Sequence, residues 1–289
     1  MADVTAALPE TIDLLHQGRP KAMGAHWFDG TIVDPGAESS MARLLEALGD
    51  RAPERILLTH IHFDHAGATG ALVERFPDVE VWVHERGARH IVDPTRLVSS
   101  ARAIYGDAFD GLWGRVVPVP EERLRVLSGG ERIGPWRVAY TPGHAQHHVA
   151  YLHEDAGVAY TGDVTGVRID GGPTVAPTPP PDIDVPAWHA SLDLIAAWDP
   201  TALAFMHFGV ATDPAEQIAA MHETLDRQAA AVRRGGVDAL TAVVREWTTG
   251  RAGDAGRPTL DAMGDMTADE AGLRRYWGKV AERARPDGA

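Results

Sequence analysis

Four side chains of metal-ligand type fall within six residues in His60-Ile61-His62-Phe63-Asp64-His65. Burying them together would be costly unless a cation satisfied them. Neutral imidazole and carboxylate are ligands that zinc accepts, at about 2.0–2.2 Å. In extended backbone His60 and His62 point the same way, and Asp64 and His65 then fall on the turn into a following helix. Three later segments also end in such a group: Tyr140-Thr-Pro-Gly-His144, Tyr160-Thr-Gly-Asp163 and Phe205-Met-His207-Phe-Gly209. Each reads as a strand running into a turn. In a layered α/β fold such strand ends gather on one edge, where sites are usually built. The chain has no cysteine. Thiolate ligands, disulfides and thiol catalysis are therefore excluded, and any metal must rest on His, Asp and Glu.

The elements that must position these groups are legible as alternating short apolar runs and amphipathic stretches. Strands are expected near 11–16, 24–28, 31–34, 55–59, 79–84, 115–119, 123–127, 135–141, 147–153, 157–161 and 201–206. Met41, Leu44, Leu45 and Leu48 repeat at helical spacing and predict a helix over 38–48. Further helices are expected at 66–76, 186–197, 213–234, 236–248 and 267–284, with helical pieces in 85–116. The Gly- and Pro-rich stretch 164–187 reads as an extended loop and 249–258 as a linker. The predicted fold is α/β with a helical C-terminal extension: a catalytic domain over 1–212, and 213–289 packed on it to cover the face of Ile218, Met221, Leu225 and Val232.

The 27 basic and 41 acidic residues of the 289 give a net charge of −14. That balance argues against a phosphate-gripping nucleic-acid binder. No run approaches the roughly 20 apolar residues of a membrane helix, and residues 1–10 lack the pattern of a secretory signal. The expectation is a cytoplasmic protein acting on a small molecule, with no nucleic-acid or membrane partner; residues 85–116 and 213–289 offer a lid, a pocket wall or a homodimer surface.

The ordered set H-x-H-x-D-H, then His, Asp and His, resembles the metallo-β-lactamase superfamily over roughly residues 11–210. The resemblance implies an αβ/βα four-layer sandwich and two metal ions, zinc first, with iron or manganese as alternatives. It implies one ion on His60, His62 and His144, a second on Asp64, His65 and His207, and Asp163 bridging both. It further implies that Asp34, in Ile32-Val-Asp-Pro-Gly36, supports a ligand from behind. A hydroxide between the ions would attack a carbonyl or phosphoryl centre, with Asp64 as catalytic base orienting the nucleophile and taking its proton.

Among branches of that family, the absence of a signal sequence and of cysteine argues against secreted antibiotic-degrading lactamases. Between Asp163 and His207 there is no Tyr, a departure from the homoserine-lactone hydrolases. Gly143-His144 with His148 resembles glyoxalase II, although His147 stands where that signature carries Gly. The reading is a dinuclear hydrolase of a small ester, thioester or lactone. The alternatives are a mononuclear iron sulfur dioxygenase on the same scaffold and a non-catalytic metal-binding relic. His84 and His189 are expected to be structural or exposed, Trp188 and Trp198 to be core, and Asp182 and Asp184 to be solvated.

Overall fold

The computed structural model describes residues 7–264 and 266–284. The chain forms two compact units. The first takes the chain up to residue 140, together with 147–162 and 199–212. The second takes 141–146, 163–198 and the chain from 213.

The first unit holds two six-stranded mixed sheets. One is β1 (Glu10–Asp13), β2 (Gly24–Phe28), β3 (Thr31–Val33), β4 (Arg55–Leu57), β5 (Glu80–His84) and β6 (Leu124–Leu127), hydrogen-bonded in that order. β1 to β3 pair antiparallel, and β3 to β6 run parallel. The other holds β7 (Arg132–Ile133), β8 (Trp136–Tyr140), β9 (Val149–His153), β10 (Val158–Tyr160), β11 (Ala202–Phe205) and β12 (Gly209–Ala211) in reverse order, with β10–β11 the one parallel pair.

Val33, Leu57 and Trp82 of the first sheet meet Trp136, Val138, Tyr151 and Tyr160 of the second in one buried cluster. Burial of each large apolar side chain contributes roughly 1.5–3 kcal/mol. The other face of the first sheet is covered by α1 (Met41–Leu48) and α3 (Thr69–Arg75), through Leu44, Leu48, Leu72 and Val73. The expected α/β sandwich of two mixed sheets and helices is therefore the fold. No helix among the described residues is long and apolar enough to cross a membrane.

Several boundaries differ from expectation, for local reasons. Residues 115–119 form no strand: Pro118 has no N–H to give, and the Val119 N–H goes to Ile91 O at 3.0 Å. The helix expected over 66–76 is two pieces, α2 (Phe63–Ala66) and α3. Asp64 and His65 thus lie in a helical turn of their own. Between β5 and β6 the helical pieces are α4 (Glu85–Val92), α5 (Thr95–Tyr105) and α6 (Phe109–Trp113).

The second unit is helical. α7 (Val185–Ala196) carries Pro186 in its first turn, and Asp184 caps it by accepting from Ala187 N at 3.2 Å. α8 (Pro214–Arg245) buries Ile218, Met221, Leu225 and Val232 as their spacing requires, and it kinks at Gly235–Gly236, where two helices had been expected. The expected linker 249–258 is instead the end of a π turn, a 3-10 turn over Gly253–Gly256 and the start of α9 (Arg257–Met263). α10 follows at Thr267–Arg283.

Buried polar side chains staple the stretch 164–184 to these helices. Gln228 Nε2 donates to Ala176 O at 2.9 Å, and Gln228 Oε1 accepts from Ala176 N at 3.0 Å. Trp247 Nε1 donates to Thr174 O at 2.7 Å. Gln228→Ala strands a buried N–H and a buried C=O at once, at about 1–3 kcal/mol each. Denaturant unfolding should show a loss of about 2–6 kcal/mol; a loss below ~0.5 kcal/mol would contradict the staple.

Candidate metal centre

The first unit gathers five of the seven expected ligands. β4 continues as Leu58-Thr59 and delivers His60. This extension is clasped by β9: Val149 N donates to Thr59 O, and Tyr151 Oη donates to Leu58 O, both at 2.8 Å. From β3, Asp34 reaches across. Its Oδ1 accepts from Thr59 N at 2.8 Å, and its Oδ2 accepts from Thr59 Oγ1 at 2.7 Å and from His65 Nδ1 at 2.8 Å. Asp34 is buried, and it supports the motif from behind as the resemblance implied.

These contacts fix the tautomers. The Thr59 hydroxyl gives its proton to Asp34, so at 3.1 Å it accepts from His60 Nδ1. His65 Nδ1 donates to Asp34, and His207 Nδ1 donates to Ala22 O at 2.7 Å. In all three residues Nε2 is then the nitrogen carrying a lone pair. Such second partners orient metal-binding histidines and raise their basicity. His60 Nε2 lies 3.0 Å from His62 Nδ1. Asp64 Oδ2 lies 3.4 Å from His207 Nε2 and 3.7 Å from His65 Nε2. Donor atoms of Asp64, His65 and His207 all fall within 4.8 Å of one another.

The second unit brings the other two together. His144 Nδ1 donates to Pro177 O at 3.0 Å, and its Nε2 lies 3.3 Å from Asp163 Oδ2. Gly143 makes this turn feasible. Its φ is +133°, and a Cβ there would sit 2.4 Å from Trp188 Cα. Trp188 is buried as expected, but it also lies edge-on to the His144 ring at 5.5 Å. Gly162, which precedes Asp163, has φ +48°, and a Cβ there would be 2.4 Å from Thr59 Oγ1.

The donor set fits a metal. It is five imidazoles and two carboxylates, with His60, His65, His144 and Asp163 buried. The spacings of 3.0–3.7 Å within each unit match neighbouring ligands at about 2.0–2.2 Å from one small cation, which are roughly 3.0–3.5 Å apart. The buried carboxylate of Asp163 also calls for positive charge.

Around the first unit's donors lie further aromatic and imidazole groups, of which His16, Trp113 and Phe63 were not singled out from sequence. His16 stacks on Trp113 at 5.7 Å, and Trp113 stacks on Phe63 at 6.0 Å. Burial holds His16 below its ordinary pKa, with Asp64 acting in the opposite direction. His147 Nδ1 accepts from Ile61 N at 3.4 Å, and the His148 ring lies 5.1 Å from that of His60. His84, expected to be structural or exposed, is buried and stacks on Tyr140 at 4.6 Å. In the second unit Asp182, expected to be solvated, accepts from Gln146 N at 3.3 Å.

His26 is fully buried beneath β11. Its Nε2 donates to Phe205 O at 3.0 Å, and its Nδ1 faces Thr11 Oγ1 at 3.3 Å. Burial lowers its pKa from 6.5 to about 4. As pH falls the unfolded chain takes up this proton first, so the contribution is complete above about 6.5 and is lost between 6.5 and 4. The whole is about 3 kcal/mol. In chelator-treated protein, His26→Gln should flatten the stability–pH curve over that window by this amount. An unchanged slope would show that His26 is not held neutral.

The sequence profile of the metallo-beta-lactamase superfamily matches residues 29–207. The metallo-beta-lactamase fold-containing protein ST1585 of Sulfurisphaera tokodaii is 29% identical over 188 residues, 62% of this chain and 68% of that protein. Its crystal structure superposes with a TM-score of 0.63 at 23% identity, covering 88% of this chain and 93% of that one. The hydroxyacylglutathione hydrolase of Salmonella paratyphi A is 32% identical over 127 residues, 42% of this chain and 37% of the enzyme. The structure of TTHA1623 in a di-iron-bound form is 26% identical with a TM-score of 0.52, over 71% of this chain and 94% of that one.

Proposed function

This chain belongs to the metallo-beta-lactamase superfamily, and from that premise we propose that it is a dinuclear metal-dependent hydrolase of a small ester, thioester or lactone. His60, His62 and His144 hold one ion; Asp64, His65 and His207 hold the second; Asp163 serves both. Zinc is the ion we assign, on the neutral imidazole and carboxylate donors. The observation that carries this reading is the proton wiring behind the histidines. His60, His65, His144 and His207 each spend Nδ1 on Thr59, Asp34, Pro177 O or Ala22 O. A structural histidine has no need of that uniform choice, whereas a ligand must present a lone pair.

When bound, the ions lower the pKa of a water toward ~7 and polarise the carbonyl under attack. The chain's own contribution is positioning and proton transfer. Asp64 is about a quarter exposed and lies beside His65 and His207. It orients the attacking water and accepts its proton. His16, Trp113 and Phe63 form an aromatic wall on the same unit, suited to an apolar or acyl group. Similarity to a hydroxyacylglutathione hydrolase favours a thioester among the three bond types. Zinc-loaded protein assayed against glutathione and coenzyme A thioesters, simple lactones, aryl esters and phosphodiesters tests this. We expect acyl substrates to turn over and phosphodiesters not to; activity confined to phosphodiesters would overturn the reading.

A further inference from the structure

α7 and α8 each carry a His-x3-Asp pair, His189/Asp193 and His222/Asp226. A spacing of four places each pair on one helix face. The pairs cross between the helices. His189 Nε2 lies 2.9 Å from Asp226 Oδ1, and His222 Nε2 lies 3.3 Å from Asp193 Oδ1. The two Nδ1 atoms face each other at 2.6 Å. The rings are 4° from parallel with centroids 4.9 Å apart. That separation is the Nδ1–Nδ1 gap plus the two ring radii. The rings therefore meet edge to edge in one plane, with both Nδ1 lone-pair directions converging.

Three contacts in this array each require a hydrogen, and two neutral imidazoles own two. If both Nε2–H groups serve the carboxylates, two lone pairs meet at Nδ1. If either Nδ1 carries the proton, an imidazole lone pair meets a carboxylate instead. A cation between the Nδ1 atoms resolves the conflict. In acid that cation is a proton. Burial first, and then His189, hold His222 below its ordinary pKa, while Asp193 and Asp226 act the other way. Tyr276 of α10 feels the charges of Asp184 and Asp226 and those of Arg283 and Arg233.

We propose that His189 and His222 form a binding site for one late first-row divalent ion, such as zinc or nickel, held through the two Nδ1 atoms with Asp226 and Asp193 fixing the rings from behind. Imidazole suits these ions, and a carboxylate behind a ligating histidine is a recurrent device. The side chains of His189 and His222 are 26% and 29% exposed, so the ion can enter and water can complete its shell. Two nitrogens on one tetrahedral ion stand about 3.3 Å apart with their lone pairs about 110° apart, so each exposed ring must turn outward by roughly 35° from the opposed arrangement to receive it.

Equilibrium dialysis of the full chain against zinc or nickel tests this site separately from the seven-ligand centre. Wild type should hold one ion per chain more than His222→Gln or His189→Gln. Asp193→Asn should keep the count but weaken the extra ion about 10–100-fold. Uptake should fall in acid, where protons compete for the same lone pairs. In wild type, nickel should also protect His189 and His222 from diethylpyrocarbonate, read peptide by peptide; this needs no variant to fold. Equal ion counts in wild type and both Gln variants would overturn the proposal, as would full modification of both histidines at saturating nickel.

Discussion

Asp64→Asn should lower turnover at least ~10²-fold even at saturating zinc. The substitution keeps the shape and one ligand oxygen and removes the charge. Asp64 Oδ2 lies 3.4 Å from His207 Nε2 and 3.7 Å from His65 Nε2, so second-ion affinity should fall as well. Added zinc restores the ion and leaves the base missing. A general base of this kind contributes typically 10²–10⁴-fold. The turnover of the variant at rising zinc, on the substrate the panel identifies, separates the two roles. A return to near wild-type rate would make Asp64 a ligand or a buttress only.

Asp34 touches no substrate in this account, yet its loss should be nearly as severe. One buried carboxylate satisfies Thr59 N, the Thr59 hydroxyl and His65 Nδ1. Asp34→Ala leaves those donors buried without their acceptor, a loss of about 3–5 kcal/mol. Asp34→Asn is more diagnostic. Its oxygen can still accept from Thr59 N, but its amide then points hydrogens at His65 Nδ1–H. His65 must then move its proton to Nε2, the ligand nitrogen. Affinity for the second ion should fall about 10–100-fold with much less loss of stability than in Asp34→Ala. Chelator competition and denaturant unfolding read the two effects. Unchanged metal affinity in Asp34→Asn would show that the Asp34–His65 contact does not set the tautomer.

What could be read from sequence follows from which signals depend on residue type. The cluster His60 to His65 was visible because four ligand types in six residues are rare without a cation. Asp34 was reached only through the resemblance carried by Ile32-Val-Asp-Pro-Gly36. The helix over 41–48 was visible because its apolar period is clean. The carbonyls that orient His207 and His144, Ala22 O and Pro177 O, were not visible, since every residue carries one. Val116 to Val119 looked like a strand because the run is apolar, but Val119 is claimed by Ile91 O. The polar-rich stretch 249–258 looked like a linker; its helical order rests on long-range contacts such as Ile169 N donating to Thr259 Oγ1 at 3.0 Å. The His-x3-Asp spacing on α7 and α8 was not read from sequence, and its crossed pairing over 33 residues depends on tertiary packing.

We propose that seven side chains hold two ions. Elemental analysis of protein carrying His222→Gln, which removes the peripheral site from the count, tests it most directly. We expect close to two ions per chain, and close to one when His60→Ala or His144→Ala is added, with thermal stability lowered because the folded state has lost a ligand. Two ions per chain persisting with either of those substitutions would contradict the account.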